Sequence, residues 1–280
     1  MMPSPPWLDP AVRASVVDEA RRVGEVPLLP GVALEAMAMA GQPDVPIRRI
    51  ASILAHDAAL AAHLLRVANS PLYGSGPRIA RLPEALVRLG VQGLRQMLYA
   101  AAARRVLSVS GRPALSARMQ TRAYAVAVGA SAIGGAISAD PDGSFVAGLL
   151  HDVGWAVVYG LAARSDSRLP AACRDDEHLD EIAEHLHQEV GSVLAEQWNL
   201  PPQVVAAIGY HHDPGAAMTG SQMAHVVAAA VRLCDTLHIE PFDPVTGPIE
   251  EDVVVRRLGL ATEPIDRVRR RVLAELDSRA

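Results

Sequence analysis

Residues 145–154 read Phe-Val-Ala-Gly-Leu-Leu-His-Asp-Val-Gly, an apolar helical run with the adjacent pair His151-Asp152 set into its middle. Burying an imidazole and a carboxylate without partners costs several kcal/mol, so the rest of the chain has to bring partners to them. Candidates stand downstream: His187 in His-Gln-Glu-Val-Gly, the doublet His211-His212, and Asp235 in Val-Arg-Leu-Cys-Asp. Each falls on a successive predicted helix. A fold that meets this demand gathers several helices around one point.

Composition agrees with helices. Half of the 280 residues are hydrophobic, yet only 4% are aromatic and alanine recurs throughout. Alanine is the best helix former and a poor strand former, so this balance favours closely packed helices. The chain is long enough for one large domain or two modest ones. A formal charge of −5 argues against a general nucleic-acid binder. Cys173 and Cys234 are far apart, outside any CxxC spacing, and read as reduced thiols of a cytoplasmic protein. Met-Met-Pro-Ser-Pro-Pro has neither a basic nor an apolar leader region, and the longest charge-free stretch, Ala123 to Ala139, is short for a membrane span. It reads as a buried helix that its neighbours approach closely, and no membrane partner is expected.

Apolar periodicity predicts a helix from about Pro10, another from Gly31 to Ala40, and one from about Pro46. The next starts at Asp57 as N-cap and ends at Asn69-Ser-Pro-Leu-Tyr73-Gly. Pro83 opens a helix that Gly90 stops, and Val91 to Val106 forms a further one. Ser108-Val-Ser-Gly-Arg-Pro is the best internal boundary. After it come a helix around Arg122, the His151-Asp152 helix, helices from about Asp180 to Trp198, from Pro201 or Pro202 to His212 and from Ser221 to Leu237. Two short helices follow, the second capped by Thr262. No strand-type alternation appears. The predicted architecture is all-α, an N-terminal helical bundle (24–107) packed against a second one (112–240), with an N-terminal segment (1–23) and a C-terminal appendage (241–280).

Several stretches together resemble the HDOD family, a bacterial signalling module related to the HD-type metal phosphohydrolases. They are Leu28-Leu-Pro-Gly, the block from His56-Asp57 through Asn69-Ser-Pro-Leu-Tyr73-Gly, Glu84-Ala-Leu-Val-Arg-Leu-Gly, Gly148-Leu-Leu-His-Asp-Val-Gly154, His187-Gln-Glu-Val-Gly191, Trp198-Asn-Leu-Pro and Ile208-Gly-Tyr-His211-His212. The resemblance covers roughly residues 24–240 and implies an HD-like second bundle. In active relatives an early His, the His-Asp pair and a late Asp hold one metal, and further histidines with the bridging Asp hold a second. Such metals, divalent iron, manganese or zinc, generate hydroxide and neutralise a phosphoryl group. The resemblance maps the pair onto His151 and Asp152, the late Asp onto Asp235, and the further ligands onto His187 and His211 or His212.

The early His is missing. Its helix reads Met119-Gln-Thr-Arg122-Ala-Tyr, with Arg122 at the equivalent place. A guanidinium cannot ligate a metal and repels one, but it can pair with Asp152 or Asp235 in the metal's stead. Trp155 stands where active enzymes often carry Lys, and Gly209-Tyr210 runs into His211 without the Gly-Tyr-Pro signature of cyclic-di-GMP phosphodiesterases. The expectation is a vestigial site in a regulatory protein that works by binding, with no cofactor required, a signalling protein as partner, and room for a homo-oligomer. A residual single metal on Asp152, His187 and His211 or His212 is the second reading. A working phosphohydrolase of nucleotides or cyclic dinucleotides, and a nucleotide sensor that binds in the old cleft without cleaving, are the alternatives. His211-His212 also sits at a helix end, where imidazolium would cap carbonyls. The arginines Arg267, Arg269, Arg270 and Arg271 read as a solvated helix face. Asn69 reads as a helix cap that, with Tyr73, braces the two helical sets.

Overall fold

The structure, a computed structural model, describes residues 8, 10–23, 45–70, 73, 76–163, 175–240 and 248–277. Leu28-Leu-Pro-Gly, the predicted helix from Gly31 to Ala40, Trp7 and Cys173 lie outside the described residues. Within them every regular element is helical: α1 (Pro10–Val23), α2 (Ile47–Leu54), α3 (Ala58–Ala68), α4 (Leu82–Val106), α5 (Pro113–Ala136), α6 (Pro141–Leu150), α7 (Val153–Ala163), α8 (Asp176–Gln197), α9 (Pro202–Tyr210), α10 (Ser221–Thr236), α11 (Val253–Arg257) and α12 (Thr262–Asp277).

Local chemistry sets the ends of these helices. Asp57 Oδ1 accepts from the Leu60 amide at 3.0 Å and starts α3. Asp140 accepts from the Asp142 and Gly143 amides and starts α6, with Pro141 behind it. Gly90 has φ +68°, so α4 kinks sharply there instead of stopping. Asn69 closes α3: its amide donates to the Leu65 and Ile79 carbonyls and its oxygen accepts from the Ile79 amide at 2.7 Å. That brace lies within the first helical set, between α3 and the approach to α4, and does not span the two sets.

Helix α5 is the axis of the second set, and α6, α10 and α12 pack along it. Its glycines are where backbones meet. A Cβ on Gly129 would sit 3.3 Å from the Ala230 Cβ of α10 and 3.6 Å from Val272 Cγ2 of α12. A Cβ on Gly148 of α6 would lie 3.0 Å from the Ala127 Cα of α5. The stretch Ala123 to Gly134 is accordingly almost wholly buried. The run Pro141–Ala163 is long and apolar enough to cross a membrane by composition, but 83% of its most apolar window is buried inside the protein.

Helices from both ends of the chain pack on the second helical set. The N-terminal helix α1 docks on α7 and α8, with Arg13 Nε 2.8 Å from Glu189 Oε2 and Gln197 Nε2 donating to the Arg21 carbonyl. The C-terminal helix α12 buries Ile265, Val268 and Val272 against α5, and Tyr124 donates to the buried Glu275 carboxylate at 3.0 Å. The amphipathic spacing of α12 gave it a face that only another helix could cover.

Candidate functional site

His151 and Asp152 do not lie within one helix. They form the break between α6 and α7, where the Trp155 amide turns back to the Asp152 carbonyl at 3.0 Å. Gly154 explains the next contact. A Cβ there would overlap the His187 carbonyl, so glycine lets the start of α7 lie directly on α8 and brings His187 to Asp152. Gly191, one turn further along α8, keeps the seam tight against Ile208 of α9.

Around Asp152 the structure gathers Arg122 from α5, His151, His187 from α8, His211 and His212 from the end of α9, and Asp235 from α10. The Asp152 carboxylate bridges two half-sites. Its Oδ2 is 2.9 Å from His151 Nε2 and 3.7 Å from Arg122 Nε. Its Oδ1 is 3.5 Å from His211 Nε2 and 3.7 Å from His187 Nε2. The two latter nitrogens lie 3.4 Å apart. His212 completes this side, its ring centroid 4.9 Å from that of His187 and 4.5 Å from that of His211.

Arg122 fills the other side. It is 4% exposed, and its Nη1 donates to Asp235 Oδ1 at 2.7 Å and to the Ile239 and Glu240 carbonyls at 3.4 Å. Burial alone would lower the guanidinium's pKa, but the carboxylates of Asp152 and Asp235 outweigh it and hold the group charged. Burial pushes the Asp235 carboxyl up, with Arg122 pulling against it. Burial also acts on Asp152, yet His151, His211 and His187 together keep it well below the usual carboxylate range. Cys234, next to Asp235, is a free, buried thiol pushed up to about 12 by burial, and therefore unreactive.

The histidines are all aimed the same way. Nδ1 of His151 lies 2.7 Å from the Gly148 carbonyl, that of His187 2.8 Å from the Ala183 carbonyl, and that of His211 2.9 Å from the Ile208 carbonyl. A carbonyl only accepts, so each Nδ1 carries the proton and each Nε2 points inward. Burial holds His187 at about 4 and lowers His211. His212 is exposed as a residue, but the packing of its ring against the other two buries it enough to bring it to about 3. Burial thus disfavours the charged form of all three rings, and His211 donates its Nδ1–H to the Ile208 carbonyl. The Trp155 ring, centroid 5.8 Å from that of His187, roofs the cluster.

The two half-sites differ in what they fit. Inward lone pairs on His187 and His211 beside an ionised Asp152, with ligand atoms of His187, His211 and His212 all within 4.8 Å of one another, are a donor set suited to one divalent ion. The backing carbonyls are the outer contacts that orient such ligands. On the Asp235 side the guanidinium takes the space and charge of a cation, so that half does not fit a metal.

The HDOD domain profile matches residues 26–214. The chain belongs to the HDOD family. A protein of Treponema pallidum is 31% identical over 208 residues, 71% of this HDOD chain and 39% of the relative, so the chain spans about two fifths of that relative's length. A solved HDOD domain protein from Geobacter sulfurreducens is 27% identical and superposes with a TM-score of 0.65 over 96% of this chain and 95% of its own. A solved "Putative metal-dependent phosphohydrolase" from Shewanella amazonensis covers 96% of this chain and all of its own with a TM-score of 0.68; at 17% identity that likeness shows the fold alone. The HDOD chain thus shares the helical fold of these solved proteins.

Sequence reading named the cluster's side chains but missed what aims them. The carbonyls of Gly148, Ala183 and Ile208 leave no residue-type signal, since any residue supplies one. The Ile239 and Glu240 carbonyls on Arg122 are equally silent. Trp155 stands out in sequence as a departure from Lys, and the structure gives it a place against His187. His63 and His225, outside the cluster, are both buried.

Proposed function

We propose that this HDOD protein is a regulatory module that has lost two-metal hydrolysis and acts by binding. One observation carries the reading: the Arg122 guanidinium sits between Asp235 and Asp152, 2.7 Å and 3.7 Å away, where a metal would otherwise neutralise them. Two-metal hydrolysis needs one ion on the attacking and one on the leaving oxygen, and a fixed organic cation cannot supply an activated water. What Arg122 does supply is charge balance. It joins α5 to α10 and, through Asp152, to the α6–α7 break, and so holds the helices of the bundle in register.

A second reading is favoured by the neutral, inward-facing Nε2 atoms: one divalent ion held by Asp152, His187, His211 and His212. Bound there, such an ion supplies charge neutralisation and Lewis acidity. The chain's own residues orient and enclose it, since Trp155 limits water on one side and the carbonyls fix the tautomers. Either way the output is a protein contact, and we place the module in the bacterial cytoplasm with a signalling protein as its partner.

The test is hydrolysis of bis-p-nitrophenyl phosphate and of cyclic di-GMP with added manganese, iron or zinc. The account predicts no turnover above the free-metal background. Turnover abolished by Asp152→Ala would overturn it.

A further inference from the structure

A cavity lies away from the His–Asp cluster and shares no residue with it. It encloses about 390 Å³, within the range of about 300–1,000 Å³ common for small-molecule sites. Three helices line it with regular stripes. From α4 and its C-cap residue come Ala100, Ala103, Arg104 and Leu107, spaced i, i+3, i+4 and i+7. From α5 come Ala117, Gln120, Thr121 and Tyr124 at the same spacing, with His63 and Arg66 of α3 opposite. Leu149 of α6 and Leu276 of α12 complete the wall. The alanines keep the facing stripes shallow, which is why space remains between the helices.

The charges are arranged with a direction. Arg66 and Arg104 are exposed, and neither is ion-paired with a carboxylate among the described residues. Arg66 Nη2 donates to His63 Nδ1 at 2.9 Å, which holds the guanidinium over the cavity and fixes the neutral imidazole's proton on Nε2. Gln120 pins the other rim, donating to the Arg104 carbonyl at 3.1 Å and to Ser108 Oγ at 3.2 Å. Toward α12 the sign reverses, because Tyr124 donates to the buried Glu275 carboxylate. An anion is therefore welcome between the two guanidinia and unwelcome further in. The interior offers walls of buried alanine and leucine, with the exposed Thr121 at its mouth.

We propose that this cavity binds a phosphorylated small molecule of mononucleotide size, its phosphate between Arg66 and Arg104 and its body against α5. Paired guanidiniums favour phosphate through charge-assisted, two-pronged hydrogen bonds. On α5 the cavity-facing stripe lies on the side opposite Arg122, so an occupant bears on the same helix that holds the Asp152–Asp235 pair together.

The experiment is calorimetric titration of the full chain with AMP, GMP, glucose 6-phosphate, adenosine and inorganic phosphate, on wild type, on Arg66→Gln/Arg104→Gln and on His187→Ala. Both arginines are exposed, so the double variant keeps its fold, which circular dichroism checks. At least one phosphomonoester of the panel is expected to bind at one site per chain, at least tenfold more tightly than adenosine or inorganic phosphate. The double variant is expected to weaken it at least tenfold while His187→Ala leaves it within twofold. Absence of binding by all three phosphomonoesters, equal binding by inorganic phosphate, or equal binding by the double variant would each overturn the proposal. Loss in His187→Ala alone would place the nucleotide in the His–Asp cleft, against this cavity but not against the hydrolysis-deficient reading.

Discussion

Arg122 decides how the site behaves. Removing one partner of a buried charge pair typically costs about 3–5 kcal/mol, because the other charge stays buried without compensation. Here two carboxylates would be stranded, Asp152 and Asp235. Arg122→Ala is expected to lose about that much in urea denaturation; a loss below about 1 kcal/mol would mean that the pair is not what balances the site. His187 gives a second, independent prediction. Its pKa of about 4 lies below the ordinary value near 6.5, so between those pH values the unfolded chain binds a proton that the folded chain refuses. Stability is then highest above about pH 7 and falls as the pH drops through that window, by about 3 kcal/mol from this residue. Urea midpoints in chelator-treated buffer should fall from pH 7 to 4.5, and His187→Gln should flatten the slope. The residue types at the site were legible in sequence because a buried His-Asp pair demands polar partners of few kinds. Their aim was not, because it is set by carbonyls that every residue owns.

At the scale of elements, the sequence signals that worked were local. Asp57, Pro83 and Pro202 opened helices as their chemistry requires, and the Gly–Pro stretch after Val106 separates α4 from α5. The signals that misled were those settled by packing. Apolar periodicity runs straight through His151-Asp152, whereas α6 ends at Leu150 and α7 begins at Val153, with Gly154 resting on the His187 backbone. Gly154→Ala is therefore expected to force α7 off α8, an overpacking cost of about 3 kcal/mol, and to scatter the cluster. Thermal denaturation reads the first effect, and NMR chemical shifts of His187 and His211 read the second. An alanine variant with wild-type stability would show that the two backbones do not meet.

Across the whole molecule, the ends of the chain close the bundle. Helix α1 lies on α7 and α8, and α12 lies on α5, the helix shared by the His–Asp cluster and the Arg66–Arg104 cavity. Neither docking was legible from sequence, since an amphipathic stripe announces that it needs a cover without naming it. Val272→Ala, at a position fully buried against α5, is expected to cost about 2 kcal/mol. Deleting residues 261–280 would expose the alanine- and glycine-rich face of α5 and should lower the melting temperature far more than that single change. A truncated chain that melts like the full one would make α12 a true appendage. The central claim is that a guanidinium does the work of one metal of the pair. It is tested most directly by the metal content per chain, by mass spectrometry of elements, of wild type and Arg122→His after growth with iron, manganese and zinc. The account predicts at most one ion per wild-type chain and one more in the histidine variant. Two ions in the wild type would contradict it.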